Sequence, residues 1–272
     1  MKRSPASIAL IAALLLLCAG IAAAQEIVTL AARPDVTQAF FLAQIPLNPQ
    51  AVAVLFPGSG GVLRLREEKE QIKFSSGNFL VRSRGEFVKR SVVTAIIDAP
   101  SDQQSGWGMS DEFRLGDKHL ADMSLVLGDL KKRFPQLPVF LIGTSRGTIS
   151  AASLAARLRP RVAGAVLSST MFRATGRKSQ APGAGLSRFD FAAIRIPLLL
   201  VHHASDQCYV TPYSEADRLS EKYPLITVFG GPPPQSGPCD ARSQHGFFGK
   251  ESETIEQIVH WILKRPFTER VH

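Results

Sequence analysis

The sequence is poor in cysteine, with three among its 272 residues, and the spacings typical of zinc-binding patterns are absent. It also lacks internal repeats and any basic stripe with interleaved aromatic residues, so nucleic-acid binding has little support. The net charge of +9 is scattered along the chain and implies no more than weak association with anionic surfaces. The abundant aliphatic residues instead predict a chain that buries a sizeable core.

The N-terminal segment combines a basic start, a long apolar run and a small-residue end. Lys2 and Arg3 precede the apolar run from Ile8 to Ile21, which is followed by three alanines. This pattern predicts a secretory signal peptide over residues 1–24 and a secreted or periplasmic mature chain without stable membrane insertion. An uncleaved anchor remains the alternative, because the run is near the short limit of about 20 apolar residues for a membrane span.

The predicted export makes the number of cysteines informative about disulfide bonding. Cys18 would leave with the signal peptide, and the bulky Leu17 before it argues against a lipoprotein anchor. Cys208 and Cys239 remain, an even number in an exported chain, which favours one disulfide. Two free buried thiols are the alternative.

From about residue 50, short apolar runs alternate with amphipathic segments. Runs that are apolar throughout indicate buried parallel strands, and the amphipathic segments between them indicate helices. The pattern predicts an α/β chain with an open, mostly parallel, twisted sheet and helices on both faces. One domain over residues 25–272 is the simplest account. The predicted strands are Ala51–Phe56, Ser91–Asp98, Pro138–Gly143, Val162–Ser168, Pro197–His203 and Leu225–Gly230.

Other segments are predicted from local signals. Glu26–Ala32 and the segment around Val36–Ala43 are expected to form an antiparallel hairpin at the sheet edge. A helix is expected to begin with Asp117 as its N-cap and to end at Pro135, and the last helix carries an apolar face over Ile255–Leu263.

The strongest motif is GTSRG at residues 143–147, which matches the pattern G-x-S-x-G. A buried strand enters it and a helix-forming run leaves it, as a nucleophile elbow requires. Such a turn holds Ser145 in a strained backbone conformation, and side chains at 143 or 147 would collide with it. A serine nucleophile also needs a base, and the base needs a partner that fixes its tautomer.

This elbow resembles that of the α/β-hydrolase superfamily, which includes serine esterases, lipases and dienelactone hydrolases. The resemblance extends from about Val52 to Leu263. In the superfamily the chain order is serine, acid, histidine. The resemblance therefore implies Ser145 as the nucleophile, Asp206 as the acid and His245 as the base. It implies no metal or other cofactor.

The resemblance also implies an oxyanion hole. One N–H group is expected from Arg146, and the other from the loop PGSGG at residues 57–61, with Ser59 favoured and Gly60 as the alternative. Pro57 stands where the HGGG form of this loop has histidine, which leaves the subfamily open. A dinucleotide-binding loop is disfavoured, because Leu63 occupies the last glycine position of G-x-G-x-x-G.

Lids in this superfamily usually follow the strand that ends at Ser168. About 28 residues separate Ser168 from Pro197, so a small lid at most is expected, and Thr175–Ser187 reads as a surface loop. Trp107 and Met109 lie in a loop at the carboxyl edge of the sheet, where such folds bind ligands. They are expected to line the substrate pocket, with simple packing of the loop as an equal alternative.

These features together predict an exported serine hydrolase, most simply a carboxylesterase acting on a small-molecule ester through an acyl-enzyme. A thioesterase, lactone hydrolase or small peptidase would use the same residues, and a non-catalytic binding protein on this fold remains a further alternative. The sequence does not define the oligomeric state. A metal site at His202 and His203 is disfavoured, because neighbouring residues of a strand point to opposite faces.

Overall fold

The computed structural model describes residues 25–175 and 183–272. Nine of the strands in these ranges form one sheet, and two form a separate hairpin. In chain order the strands are β1 (Glu26–Arg33), β2 (Val36–Leu42), β3 (Ala51–Phe56), β4 (Arg66–Glu68), β5 (Gln71–Lys73), β6 (Val92–Ile97), β7 (Val139–Thr144), β8 (Gly164–Ser168), β9 (Leu198–His203), β10 (Leu225–Val228) and β11 (Arg270–Val271).

The helices lie mainly between the strands of the large sheet. They are α1 (Phe79–Arg82), α2 (Arg84–Lys89), α3 (Asp111–Leu115), α4 (Asp117–Arg133), α5 (Gly147–Arg157), α6 (Tyr213–Leu219) and α7 (Glu251–Ile262). Short 3₁₀ helices cover Ser101–Gln103, Phe191–Ala193 and Gln244–Gly246. None of the helices in the described ranges is long and apolar enough to cross a membrane. The predicted signal peptide lies outside these ranges.

The large sheet is mostly parallel, as predicted, with the order β1-β2-β6-β3-β7-β8-β9-β10-β11. The pairs β1–β2 and β2–β6 are antiparallel, and every other neighbouring pair is parallel. The predicted edge hairpin is therefore confirmed as β1 and β2. The carboxyl ends of β3, β7, β8, β9 and β10 meet at one edge of the sheet, because these strands run in the same direction.

Both faces of the sheet are covered, which explains the continuous apolar runs. In β3, Val52 and Val54 point into one core cluster, whereas Ala53 and Leu55 point into the other. Helices α4, α5 and α6 contribute to the first cluster, and α1, α2 and α7 to the second. A buried parallel strand needs apolar residues on both faces, since side chains alternate between them.

One helix boundary differs from the prediction. Asp117 is not an N-cap: Gly116 occupies that position, and Asp117 is the first residue of α4, where its carboxylate pairs with Arg157. Gly116 is the one residue between α3 and α4, and a Cβ there would lie 3.1 Å from the Glu112 carbonyl oxygen. In the tight link between the two helices, a side chain at position 116 would be crowded against the preceding turn. The predicted stop is confirmed, since α4 ends at Arg133, two residues before the proline.

Candidate active site

Ser145 lies in a sharp turn between β7 and α5. Its backbone φ is +53°, a conformation that is uncommon outside glycine, and its N–H donates to the carbonyl oxygen of Ser168 at 3.0 Å. A Cβ on Gly143 would lie 2.5 Å from the carbonyl oxygen of Gly147, and one on Gly147 would clash with the carbonyl oxygen of Phe56. Neither glycine position therefore accepts a side chain, and the turn presents Ser145 at the edge of the sheet.

Asp206 and His245 are brought together from the loops after β9 and β10. His245 Nδ1 lies 3.0 Å from Asp206 Oδ2, and Thr211 Oγ1 donates to the same oxygen at 2.9 Å. The other oxygen, Oδ1, accepts the N–H of Cys208 at 2.9 Å. Since Nδ1 faces a carboxylate, the proton of a neutral His245 belongs on Nδ1, which leaves Nε2 as the basic nitrogen.

The Asp206 carboxylate is fully buried, yet it favours the ionised form. Burial alone would raise the pKa of Asp206, but the imidazoles of His202 and His245 outweigh this effect and hold the pKa below its ordinary value. His202 Nε2 lies 3.6 Å from Asp206 Oδ2 and 2.8 Å from the carbonyl oxygen of Thr211. The carboxylate is therefore negatively charged at neutral pH and can stabilise a protonated His245.

A cavity of about 490 Å³ opens beside Ser145 and His245. Trp107 lines it and is 59% exposed, whereas Met109 is buried near Gly61 and does not border it. Most of the other bordering residues belong to the glycine-rich loop, the segment that leads into α1 and the loop around His245. The full set is residues 57–63, 75–79, 106, 144, 239–241 and 246.

The loop after β3 carries unpaired backbone donors. Neither the N–H of Ser59 nor that of Gly60 has a hydrogen-bond partner among the described residues. Ser59 has a φ of +51°, and a Cβ on Gly60 would clash with the carbonyl oxygen of Trp107. The N–H of Met109 donates to the carbonyl oxygen of Gly60 at 2.9 Å. The loop is thus packed tightly on its outer side, while its unpaired N–H groups belong to residues that line the cavity.

Buried charges support this loop and the turn at Ser145. Arg114 is fully buried and donates to Ser150 Oγ at 2.8 Å and to the carbonyl oxygen of Ser59 at 3.0 Å. Burial, together with the charge of Arg146, lowers the pKa of Arg114 to about 9. The guanidinium remains charged at neutral pH. Arg146 itself pairs with Asp111, with Nε 2.6 Å from Oδ1.

Sequence reasoning missed Asp111, Arg114 and Thr211. Charged residues in a short helix normally indicate a solvated surface, so the pattern around α3 gave no signal for burial. Thr211 follows Asp206 by five residues, but a threonine in a loop has no pattern that distinguishes it. Asn78 lines the cavity, and one feature of the sequence could have drawn attention to it: it precedes a short apolar helix, as an N-cap residue does.

Cys208 and Cys239 form a disulfide, as predicted. Cys208 is two residues after Asp206, and Cys239 is six residues before His245 and lines the cavity. The bond therefore links the loop of the acid to the loop of the histidine.

The neighbouring histidines of β9 have separate environments. His202 stacks against Phe172, whereas His203 Nε2 lies 3.0 Å from the carbonyl oxygen of Gly230. Burial lowers the pKa of His203. Within the described residues, no group of three or more histidine, cysteine or acidic side chains is arranged to hold a metal ion.

Comparison with known proteins identifies the fold. A family model described as serine aminopeptidase S33 matches residues 100–230. The structure superposes on an α/β serine hydrolase without a lid from Xanthomonas campestris, at 17% identity and a TM-score of 0.54. The match covers 86% of this chain and 94% of that one. The chain has the α/β-hydrolase fold.

Other solved structures share this α/β-hydrolase fold. Est1E from Butyrivibrio proteoclasticus, in a structure with bound ferulic acid, has a TM-score of 0.55 at 16% identity. The match covers 85% of this chain and 99% of Est1E. A lipase in its open form has a TM-score of 0.59 at 12% identity, and the match covers 89% of this chain and 99% of the lipase. A search of curated protein sequences gives no significant match.

The region between β8 and β9 corresponds to the expected lid position. Its described part contains the 3₁₀ helix Phe191–Ala193 and no longer element. The prediction of a surface loop over Thr175–Ser187 is partly wrong, because Leu186 is buried in the core and the N–H of Gly185 donates to Asp111 Oδ2 at 2.9 Å. Residues 176–182 lie outside the described ranges.

Proposed function

We propose that this α/β hydrolase is a serine hydrolase that cleaves ester bonds in small molecules. One observation carries the proposal: Ser145, in a positive-φ turn, borders the same cavity as His245, whose Nδ1 is 3.0 Å from Asp206. Nucleophile, base and orienting acid occur in the chain order of the superfamily. The esterases and lipases among the structures of similar fold agree with this proposal.

The reaction proceeds in two halves. Ser145 Oγ attacks the ester carbonyl while His245 Nε2 takes its proton, and the N–H groups of Ser59 and Arg146 stabilise the oxyanion. Gly60 is the alternative loop donor. His245 then protonates the departing alcohol, which leaves an acyl-enzyme. Water, deprotonated by His245, attacks the acyl carbon and releases the acid and Ser145. Asp206 keeps the imidazole oriented and stabilises its charged form throughout.

The composition of the cavity favours a short or polar substrate. Ser75, Ser76 and Asn78 contribute polar side chains, and much of the remaining wall is glycine backbone. A long alkyl chain would leave such groups without hydrogen-bond partners. Short-chain or hydroxylated esters therefore fit better than long-chain lipids. Trp107 at the exposed rim provides apolar contact, together with Val62, Leu63 and Phe79 in the wall.

A second candidate is the release of an N-terminal residue from a peptide. The matched family model is described as a serine aminopeptidase, and Asp240 is the one formally charged side chain among the described residues that line the cavity. A carboxylate at this position can bind the α-ammonium group of a peptide. Faster turnover of an aminoacyl p-nitroanilide than of p-nitrophenyl acetate would favour this candidate over an esterase.

The proposal extends to the whole chain. Residues 25–272 act as a single catalytic domain that is exported after removal of residues 1–24. The disulfide supports export, because such bonds persist in oxidising compartments. A mature protein that begins at Gln25, found by mass spectrometry after secretion, is the expected observation.

Replacement of the nucleophile tests the proposed chemistry directly. Ser145→Ala should abolish hydrolysis of p-nitrophenyl acetate and covalent labelling by a fluorophosphonate, because both require attack by Oγ. Ser220→Ala, which changes an exposed serine at the end of α6, is the matched control and should retain both. Labelling of Ser145→Ala at the rate of the unmodified protein would exclude the assignment. An unmodified protein inert to ester and phosphonate alike would favour the non-catalytic alternative.

A further inference from the structure

Asn78 brings a side-chain amide to the wall of the active-site cavity. It precedes α1 as the N-cap residue, and its Oδ1 accepts the N–H of Leu80 at 3.1 Å. The amide has one acceptor end and one donor end. Because the cap engages the acceptor end, the position of Nδ2 follows from the hydrogen bond rather than from an arbitrary choice of rotamer. The two N–H groups on Nδ2 remain for another partner.

Nδ2 of Asn78 lies close to the nucleophile. A Cβ on Gly58 would be 3.1 Å from Asn78 Nδ2 and 3.0 Å from Ser145 Cβ. Both groups therefore border the small space that exists because residue 58 has no side chain. Asn78, Gly58, Ser145 and His245 all line the same cavity. No hydrogen-bond acceptor for Nδ2 is found among the described residues.

The unpaired donors around Ser145 form a set. The Nδ2 group of Asn78 joins the N–H groups of Ser59 and Gly60, which also lack partners in the described part of the chain. Donors without acceptors next to a nucleophile are suited to an oxygen that becomes negative during the reaction. A cap alone does not explain the choice of asparagine, because serine or aspartate caps a helix equally well without providing an amide donor.

We propose that Asn78 is a further catalytic residue, whose Nδ2 donates a hydrogen bond to the substrate carbonyl oxygen as it becomes an oxyanion. This inference rests on the proposed serine-hydrolase function. Asn78 forms no covalent bond: Ser145 Oγ bonds to the carbonyl carbon, the π electrons move to the oxygen, and the amide stabilises that charge. The interaction strengthens with the charge, so it acts on the transition state more than on substrate binding.

Three variants separate the donor from the cap. Asn78→Ser keeps a capping oxygen but removes the amide donor. Asn78→Asp keeps the size and the cap and replaces the donor with a second acceptor. Asn78→Ala removes both the cap and the donor. If the proposal is right, Asn78→Ser unfolds at nearly the temperature of the unmodified protein, while its kcat for p-nitrophenyl acetate falls by about 10- to 100-fold with little change in KM. Asn78→Asp should lose more activity than Asn78→Ser.

A thionoester distinguishes the carbonyl oxygen from other targets. Sulfur accepts hydrogen bonds weakly, so loss of the donor should slow hydrolysis of the ester more than that of the matched thionoester. The second-order rate of fluorophosphonate labelling of Ser145 should fall in Asn78→Ser, since the phosphoryl oxygen occupies the oxyanion position. Substitution at Asn78 leaves the nucleophile itself intact, so slow labelling should still reach completion.

The outcomes separate this inference from the proposed function. If Asn78→Ser labels and turns over esters like the unmodified protein, Asn78 is a helix cap and the inference is wrong. An equal loss on ester and thionoester also overturns it, because the amide would then act elsewhere in the site. An unmodified protein that neither labels nor hydrolyses esters would overturn the proposed function and the inference together.

Discussion

His119, on the first turn of α4, is a single side chain whose environment links stability to pH. It is fully buried against the rings of Phe56 and Phe113, and neither ring nitrogen has a hydrogen-bond partner among the described residues. Burial, reinforced by the nearby charge of Arg114, lowers the pKa of His119 to about 3. The folded protein therefore holds this imidazole neutral across the mildly acidic range.

The direction of the pH effect follows from this shift. As the pH falls from about 6.5 towards 3, the unfolded chain binds a proton at His119 while the folded chain does not, so the free energy of unfolding decreases. His119→Leu should remove this dependence, which is on the order of a few kcal/mol, and should be neutral or stabilising at pH 7 because two unpaired nitrogens are lost. Urea unfolding at pH values between about 4.5 and 7 measures both effects.

Parallel stability curves for the two proteins would contradict this account of His119. Asp206 provides a contrast at the same scale. Its pKa is lowered in the folded state, so its contribution to stability is complete above the ordinary carboxyl pKa and is lost only as the pH falls below it. The His119 effect begins below about pH 6.5, whereas the Asp206 contribution changes only below the ordinary carboxyl pKa of 3.8, so measurements between about 4.5 and 7 separate the two effects.

The disulfide acts at the level of two loops rather than of one residue. Cys208 and Cys239 are 31 positions apart, and the bond joins the loop after β9 to the loop before His245. The chain-entropy model attributes roughly 3–4 kcal/mol to closing a loop of this length, by restricting the unfolded chain. In the folded protein the same bond limits how far Asp206 and His245 can move apart.

Cys208→Ser combined with Cys239→Ser should therefore lower both the melting temperature and kcat. The melting temperature falls because the unfolded chain gains freedom, and kcat falls because the acid and the base are less well aligned. Treatment of the unmodified protein with a reductant should approach the same values, which controls for effects of the serines themselves. Unchanged melting temperature and turnover would show that the bond does not align the two loops.

Some strands and helices are easier to predict from the sequence than others. The long strands β3, β6, β7, β8 and β9 were predicted because continuous apolar runs require burial on both faces. The strands β4, β5 and β11 were missed, since each has three residues or fewer and too few positions to show a pattern. The helix α3 was missed for another reason. Its charged residues are buried by pairing with partners distant in sequence, including Arg146 and Ser150.

At the scale of the whole molecule, the site is an open cavity at one edge of the sheet. Exposed Trp107 lies at its rim, and the described part of the segment between β8 and β9 carries no element longer than one 3₁₀ turn. Activation of a lipase at an oil–water interface depends on a lid that moves away from the site. Among the described residues of this segment, Leu186 packs into the core.

Hydrolysis of tributyrin should accordingly rise smoothly with concentration through the solubility limit of the substrate. No conformational opening at the interface is needed, because the cavity is already accessible. Initial rates measured by titration of released acid, below and above that limit, provide the measurement, with soluble p-nitrophenyl acetate as the reference substrate. A sharp increase in rate at the limit would show that a segment does cover the site.

The sheet and the serine turn could be predicted from the sequence alone, and the cysteine count favoured the disulfide. These depend on simple rules: alternation of side chains along a strand, the steric demand for glycine around Ser145, and an even number of cysteines in a chain for which the N-terminal pattern predicts export. The resemblance to the α/β-hydrolase superfamily also implied Asp206 and His245 as candidates, from the chain order of the catalytic residues in that superfamily.

The groups that surround Ser145, Asp206 and His245 are evident only from the folded structure. Thr211 lies beside Asp206, Arg114 lies behind the glycine-rich loop after β3, and the Asn78 amide lies next to Ser145. The last two contacts join residues far apart in sequence. The energy of a buried polar group depends on the partners that folding places within hydrogen-bond distance, and no local pattern encodes those partners. Folding brings these groups together at the edge of the sheet where the parallel strands end.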